Sequence, residues 1–430
     1  MWSVKKRMEI VTKYFASLFG AVSFQEKGED ADNNFSKGSS SIKVDIFKKD
    51  EGSYYINRAI NFTQEEQEII KSISKEMRQL FAQNLLPHYA NICLPQAQLL
   101  GISKAISPSN YKTVLTVLNI LEEFSTQTYE GQRITFSVGI DETITSMGNN
   151  LSDVCRYDFS RVLTSDCNSL LVCSRHGGIV GHFSPVNNCD MEDYFAPLEY
   201  LPIASWSSQG KYVFCLNGNG EILVFKNRCL VFAKRRGQWC YFPHQIYTST
   251  FNPAPILLKV LDVTEVPFEI FKSIYVSVID ASFRRKGACI GVIKKSAVYN
   301  GDYIMDCMDF VSESDILEKR KDEKTRLLNS IVGSKKFNEL SRQLRQEILA
   351  MDGATIIFED GTIFAVGAIL KINCGSSGGG RRAAACTLSK YGVGIKVSSD
   401  GKITIWYDPD RPDYYDATGW ISPHRGGCWR

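Results

Sequence analysis

The stretch from residue 351 to residue 407 restricts the fold more than any other part of the chain. Its short apolar runs lie at residues 354–358, 362–370 and 394–397. A glycine-rich loop at residues 375–380 and a helix-forming segment at residues 383–389 separate the second run from the third. The order is strand, strand, glycine loop, helix, strand, which predicts a mixed α/β unit.

Two arginines stand where the glycine loop meets the helix. Arg381 and Arg382 follow Gly378, Gly379 and Gly380 directly. Backbone N–H groups at a helix N-terminus lack intrahelical partners, and the helix dipole adds positive potential there. A guanidinium group adds paired donors that match a phosphate. The loop therefore predicts a nucleotide phosphate site; a flexible linker or a tight structural turn is the alternative, because glycine serves those purposes too.

A carboxylate precedes the first apolar run. Asp352, Gly353 and Ala354 open that strand after residues 337–349, whose apolar positions follow helical spacing. An aspartate at the start of a strand can reach into a site at that edge of a sheet. The alternative for Asp352 is a turn-forming or helix-ending residue, a common role for aspartate.

The ordered combination resembles the diadenylate cyclase domain, the catalytic domain of the DNA-integrity scanning protein and of membrane-bound bacterial cyclases that make cyclic di-AMP. That family carries an Asp-Gly-Ala motif and a Gly-Thr-Arg-His-Arg-Ala-Ala motif. Here the first is intact at residues 352–354, and the second reads Gly-Gly-Gly-Arg-Arg-Ala-Ala at residues 378–384. Residues 271–293 resemble the family's opening helix, basic turn and buried strand. The resemblance covers residues 266–407, about a third of the chain.

The second motif departs from the family pattern. The Arg-His-Arg triplet reads Gly380-Arg381-Arg382, and Gly379 stands in place of threonine. Those family residues handle the triphosphate and the metal. A Ser-Glu-Glu segment linked to metal binding in the family reads Ser-Ser-Asp here, ending at Asp400. Nucleotide binding therefore follows from the resemblance more directly than cyclisation does.

The resemblance implies a fold, a reaction and a set of roles. The expected fold class is mixed α/β (α+β), with a C-terminal three-layer α/β/α domain around a mixed sheet. The implied reaction condenses two ATP molecules into cyclic di-AMP in active sites that face each other across a homo-oligomer. Asp352 is assigned to the ribose hydroxyl, Arg381 and Arg382 to catalysis at the phosphates, and Asp352 with Asp400 to Mg²⁺ or Mn²⁺. The implied nucleotide-binding residues are Gly353, Ala354, Gly378, Gly379, Gly380, Arg381 and Arg382.

The rest of the chain predicts an α+β sensor or regulatory region that contains a β-meander at residues 212–242. A capping box at Thr63 and Glu66 predicts a helix from residue 64. We expect an N-terminal amphipathic segment and linker (1–50), the sensor region (51–260), the cyclase-like domain (266–408) and a tail (409–430). No internal repeat of 20–50 residues is visible. Both halves contain short strand–turn–strand units, so a related fold in the two halves stays open.

Composition limits the function classes. The net charge of +3 argues against a nucleic-acid coat, so we do not expect a nucleic-acid partner. No uncharged apolar run is long enough for a membrane span. The 13 cysteines contain no CxxC pair, which favours a reduced cytoplasmic protein over a disulfide frame or zinc site. The amphipathic residues 1–24 predict a helix that packs on its own domain or a partner; a membrane-surface helix or a signal-like segment is the alternative.

Two other functions stay open beside the cyclase. In the first, the same pocket binds a nucleotide or cyclic dinucleotide and the protein is a signalling sensor, which the altered triplet favours. In the second, the glycine loop is structural and the N-terminal half binds a protein partner.

Overall fold

A computed structural model describes residues 2–26, 40–48, 51–58, 61–146, 148–164, 168–185, 194–208, 210–244, 267–300, 303–304, 310–371 and 379–407. Gly378, most of the linker expected within residues 1–50 and the tail at 409–430 lie outside these ranges. The chain forms two compact units, Met1–Pro243 and His244–Arg430. Across the described ranges, no helix has the length and apolar character needed to cross a membrane.

The N-terminal unit combines a helical layer with a large sheet. Its helices are α1 (Val4–Val11), α2 (Ser17–Phe19), α3 (Gln64–Ala82), α4 (Ala90–Ile106), α5 (Tyr111–Phe124), α6 (Leu151–Val154) and α7 (Leu201–Trp206). Its strands are β1 (Val22–Glu26), β2 (Ser41–Lys43), β3 (Ser53–Asn57), β4 (Thr128–Tyr129), β5 (Gln132–Arg133), β6 (Phe136–Asp141), β7 (Leu170–Ser174), β8 (Ile179–Phe183), β9 (Lys211–Leu216), β10 (Ile222–Lys226), β11 (Cys229–Arg235) and β12 (Gln238–Tyr241). The large sheet has the order β12-β11-β10-β9-β6-β7-β8, and β9 to β12 form the predicted meander.

The start of the chain belongs to the core of this unit. A π-helical turn, Thr12–Ala16, joins α1 to α2. Val11, Phe15 and Leu18 are completely buried in the same apolar cluster as the strands of the large sheet. The helical segment of residues 4–19 thus packs on its own unit. The predicted capping box at the start of α3 is confirmed, because the side chains of Thr63 and Glu66 each bond the other's backbone N–H.

The C-terminal unit is a mixed sheet with helices on both faces. Its helices are α8 (Phe268–Phe283), α9 (Glu323–Val332), α10 (Arg342–Leu349) and α11 (Gly380–Leu388). Its strands are β13 (Ala288–Ile293), β14 (Tyr299–Asn300), β15 (Tyr303–Ile304), β16 (Ala354–Phe358), β17 (Ile363–Ala368), β18 (Gly392–Val397) and β19 (Ile403–Tyr407). The main sheet has the order β17-β16-β13-β18-β19. Strand β13 is parallel to β16 and antiparallel to β18.

Helix α11 lies directly on the middle of this sheet. Gly291 of β13 and Gly394 of β18 are cross-strand partners and therefore point to the same face. A methyl group on Gly394 would lie 1.9 Å from the Ala385 carbonyl oxygen, and one on Gly291 would meet the Leu388 side chain. Helices α8 and α10 contact the sheet as well, and side-chain alternation leaves the opposite face to them. The predicted fold class, mixed α/β with a three-layer C-terminal domain, is confirmed.

Helix α8 is buried on nearly all sides, as expected for a helix that is apolar around its circumference. Its one buried carboxylate, Asp280, is completely enclosed and binds the Arg342 guanidinium of α10. Arg342 Nε and Nη2 donate to the two Asp280 carboxylate oxygens, both over 2.7 Å. This paired contact fixes α10, and therefore the chain that leads to Asp352, against the sheet.

We predict that Asp280→Asn lowers the free energy of unfolding by about 3–5 kcal/mol, because it removes the carboxylate charge that binds the buried Arg342 guanidinium. Urea denaturation of the full chain measures the change. Glu313→Gln is the matched control, since the Glu313–Lys321 pair is exposed to solvent. Equal effects of the two changes would show that the Asp280–Arg342 pair does not stabilise this unit.

Candidate functional site

The start of β16 and the start of β13 share one edge of the sheet. Strands β13 and β16 are parallel, and Ile290 pairs with Thr355. In the same register, Gly287, just before β13, lies level with Asp352, just before β16. Neighbouring strands lie about 4.8 Å apart. Asp352 is exposed at this edge, and its Oδ1 accepts a 3.1 Å hydrogen bond from the Gly353 N–H.

Gly353 is required by a close approach of two backbones. Its φ of +100° lies in the region that favours glycine, and a Cβ there would fall 2.5 Å from the Gly367 carbonyl carbon. The Gly367 oxygen in turn accepts a 3.1 Å hydrogen bond from Lys324 Nζ, which also pairs with Asp315 over 2.5 Å. Side chains of the charged segment that contains Asp315 and Lys324 therefore support the loop that carries Asp352. The sequence did not mark this segment as functional.

Arg381 reaches the same edge from the first turn of α11. Its guanidinium packs over Gly287, where a Cβ would lie 2.4 Å from Nη1. Among the described residues, Arg381 Nε is buried without a hydrogen-bond partner. The N-cap residue, Gly379, has no side chain of its own to cap the helix, and the first turn of α11 holds no acidic residue. Two arginines at the positive end of a helix dipole are unfavourable by themselves, and an anion bound there offsets that cost.

A third cation, Lys396, completes a basic cluster at this edge. It is the cross-strand partner of Cys289 and therefore lies on the face of the sheet covered by α11. Burial and the nearby Arg382 charge lower the pKa of Lys396; Lys402 and Arg381 act in the same direction, and Asp400 opposes them. The cluster comprises Arg381, Arg382, Lys396 and Lys402, and it offers a polyanion four positive charges.

Cysteine Cys289 lies below this cluster and does not act as a nucleophile. Burial raises the pKa of its thiol to about 12, although Arg381 and Lys396 partly oppose that shift. The thiol therefore stays protonated at neutral pH and serves as packing under the cations.

The predicted site residues do not all converge. Asp352, Gly353, Arg381 and Arg382 belong to one edge, and Gly379 and Gly380 are exposed beside it. Ala354 is 1% exposed and packs in the core, which means that its side chain cannot contact a ligand. Gly378 lies outside the described residues.

Asp352 and Asp400 lie at different positions along this edge of the sheet. Asp400 lies in the turn between β18 and β19, whereas Asp352 precedes β16 on the other side of β13. Their separation across the sheet is about 12 Å at the usual strand spacing. Within the described ranges, no three His, Cys, Asp or Glu side chains cluster as metal ligands. One exposed carboxylate fits a divalent ion that arrives with nucleotide phosphates, which is the usual arrangement for Mg²⁺.

Sequence reasoning missed Lys396, Lys402 and Gly287 as site residues. The signal for Lys396 was a single lysine inside an apolar strand, where alternation places it on the α11 face once the register is known. Gly287 carries no such signal, because its role depends on the path of the Arg381 side chain.

The comparisons with known proteins include similarities to solved structures. No protein-family model matches the chain. No curated protein matches it either. The chain is similar to a crystal structure of a DacA double mutant from Staphylococcus aureus, with 19% identity and a TM-score of 0.24. The match covers 36% of this chain and 87% of that chain. A similarity at this level does not assign a function.

We predict that Gly287→Ala weakens binding of a nucleoside triphosphate roughly tenfold, equivalent to ~1.4 kcal/mol. The added methyl group displaces the Arg381 guanidinium, a flexible group that can move without unfolding the sheet. Isothermal titration with ATP and Mg²⁺ measures the affinity. Gly181→Ala in β8 is the control, because nothing lies within 4 Å of a methyl group there. Unchanged affinity in Gly287→Ala would separate Arg381 from the ligand.

We predict that triphosphate affinity falls as the pH rises through the lowered pKa of Lys396, because the ammonium group loses its charge. The stability of the ligand-free protein changes in the opposite direction. Between that pKa and the ordinary lysine value the unfolded chain binds more protons, so stability rises with pH. Titrations between pH 7 and pH 10 test both signs. Lys396→Arg should remove this pH dependence of affinity, since arginine stays charged. A dependence that persists in Lys396→Arg would have another origin.

Proposed function

We propose that the C-terminal unit is a diadenylate cyclase-like nucleotidyltransferase that condenses two ATP molecules into cyclic di-AMP and releases diphosphate. One observation carries the proposal: Arg381, whose Nε has no hydrogen-bond partner among the described residues, and the cluster around Lys396 occupy the same sheet edge as the exposed carboxylate of Asp352. Cations for a triphosphate and an acid near a sugar hydroxyl are the groups that this phosphoryl chemistry requires.

The cations support a role for this edge in diphosphate departure. Negative charge grows on the leaving diphosphate oxygens, and positive groups held in place by the fold stabilise that charge without reorganisation. The Arg381 guanidinium packs on Gly287, and Lys396 is part of β18, so the fold holds both cations in place. The positive end of the α11 helix dipole adds a favourable potential for an anion at the same place.

The carboxylate of Asp352 is suited to the attacking hydroxyl. It is exposed, and its hydrogen bond within the described residues is to the adjacent Gly353 N–H. From this position it can accept a proton or bind a metal ion brought by the nucleotide. A divalent ion, Mg²⁺ or Mn²⁺, would neutralise charge on the transferring phosphate, with Asp352 as its protein ligand.

Each active site provides one half of a symmetric reaction. Two 3′-hydroxyl groups must each attack the α-phosphate of the other nucleotide, which requires two sites that face each other. We therefore expect a homo-oligomer in which the edges around Asp352 meet.

The alternative function is a sensor that binds the nucleotide or cyclic dinucleotide without turnover. Its support is the triplet at residues 380–382, which lacks the first arginine and the histidine of the cyclase pattern. Lys396 and Lys402 supply positive charge at the same edge, which supports binding of a nucleotide in both functions.

We predict that Asp352→Asn abolishes cyclic dinucleotide formation while ATP binding and the unfolding midpoint stay close to those of the unmodified protein. The change removes a charge at an exposed position and keeps the shape of the side chain. Purified protein is incubated with ATP and Mg²⁺ or Mn²⁺, and the product is identified by mass spectrometry. Asp360→Asn, in the turn between β16 and β17, is the control and should retain activity.

The outcomes separate the two functions. Product from the unmodified chain and its loss in Asp352→Asn support the cyclase. ATP binding without product from either protein supports the sensor. Equal turnover by both proteins removes Asp352 from the mechanism.

A further inference from the structure

The central sheet of the N-terminal unit repeats the sheet of the C-terminal unit. In the N-terminal unit, β6 is parallel to β7, the first strand of one hairpin, and antiparallel to β9, the first strand of another. In the C-terminal unit, β13 has the same relation to β16 and β18. The N-terminal order β10-β9-β6-β7-β8 corresponds to β19-β18-β13-β16-β17. Directions agree at every step, with one parallel pair in each sheet.

The registers agree residue by residue. The six residues of β6 pair with the six of β9, from Phe136 opposite Leu216 to Asp141 opposite Lys211. The six residues of β13 pair with the six of β18 in the same way. In each parallel pair, the third residue of the first strand lies opposite the second residue of its neighbour.

The turns that follow match as well. Five residues join β9 to β10 and five join β18 to β19. The fourth is a glycine with positive φ in both, Gly220 at +74° and Gly401 at +82°. In each turn the first residue donates its N–H to the carbonyl of the fifth, over 3.0 Å at Asn217 and 2.8 Å at Ser398.

The covering helices complete the correspondence. Gly139 of β6 is overlaid by the Trp206 ring at the end of α7, just as Gly291 is overlaid by Leu388 at the end of α11. Each glycine is the fourth residue of its strand. On the other face Phe136 packs against Phe124 of α5, the helix that precedes the sheet. Agreement in order, register, turn and helix placement makes the two sheets copies of one fold.

The residues of the candidate site differ in the N-terminal copy. Asn168 stands in the place of Asp352. Each residue is exposed, the next residue is half-buried, and the first residue of the strand that follows is buried. The helices can be aligned on Trp206 and Leu388, the residues that pack on Gly139 and Gly291. In this alignment Glu199 and Tyr200 stand in the places of Arg381 and Arg382. The strand and turn registers put Cys215 in the place of Lys396, and Glu221 in the place of Lys402.

The new residues form a closed network instead of an anion site. Asn217 Nδ2 donates to the Tyr200 hydroxyl over 2.9 Å and to Glu221 Oε2 over 3.0 Å. Arg235 Nε binds Glu221 Oε1 over 2.5 Å, and both side chains are no more than 2% exposed. The charges of the buried Glu221 and Arg235 thus offset each other, and the Arg235 guanidinium is bound within the protein.

We infer that the N-terminal unit is a second copy of the nucleotide-binding fold whose ligand edge is closed by its own side chains. Each chain then binds one nucleoside triphosphate, at the C-terminal edge, and two chains are needed to supply the two nucleotides of a cyclic dinucleotide. This inference rests on the proposed function for the identity of the ligand.

The test is the number of ATP molecules bound per chain. Isothermal titration of the full chain with a non-hydrolysable ATP analogue and Mg²⁺ should give one site. Replacing both arginines, Arg381→Met and Arg382→Met, should lower its affinity at least tenfold, while Tyr200→Phe should leave affinity and number unchanged. Two sites per chain, or one site that survives loss of both arginines, would overturn the inference and leave nucleotide binding itself intact.

A second measurement does not depend on the ligand. If the titration shows no binding, the proposed function fails, and the closed edge is still tested by stability. Arg235→Met should lower the unfolding midpoint by roughly 5 °C or more, because it removes the guanidinium charge that binds the buried Glu221 carboxylate. Adding Glu221→Met should restore part of that loss. A midpoint unchanged by Arg235→Met would show that the network does not close this edge.

Discussion

The contact between α11 and two glycines determines the geometry of the C-terminal site. Gly291 and Gly394 have no side chains, so the Ala385 carbonyl and the Leu388 side chain can lie directly on the strands. This contact fixes both the height and the direction of α11. Its N-terminus is consequently delivered to the edge where β13 and β16 begin, and Arg381 meets Gly287 there. A larger residue at either glycine would lift the helix and move both arginines away from Asp352.

Much of the C-terminal fold could be predicted from the sequence, because its signals are local. The apolar runs and the glycine loop each depend on a few consecutive residues, as does the capping box at Thr63 in the N-terminal unit. Asp352 and Arg381 were singled out in the same way. Their arrangement at one edge follows from a parallel register that no local pattern specifies. The assignment of Asp352 and Asp400 to a metal ion stays a prediction, and strands β13 and β18 separate the two positions.

The repeated fold was not visible in the sequence for a physical reason. What the two sheets share is backbone pairing, alternation and a few glycines, and many side chains satisfy those requirements equally well. Glycine is kept at two pairs of equivalent positions. Gly139 and Gly291 allow a covering side chain to approach closely, and Gly220 and Gly401 have a positive φ. The charged residues that give each edge its chemistry differ between the two units, so sequence similarity is lost where function differs.

The basic cluster also makes the C-terminal unit sensitive to its ionic surroundings. Arg381, Arg382, Lys396 and Lys402 repel one another when no polyanion lies among them, and Asp400 offsets that repulsion only in part. Dissolved electrolyte screens such repulsion over about 8–10 Å. The unliganded protein should therefore gain stability as potassium chloride is added, while its hold on a triphosphate weakens. Through these four side chains, the salt concentration changes both the stability of the protein and its affinity for a triphosphate.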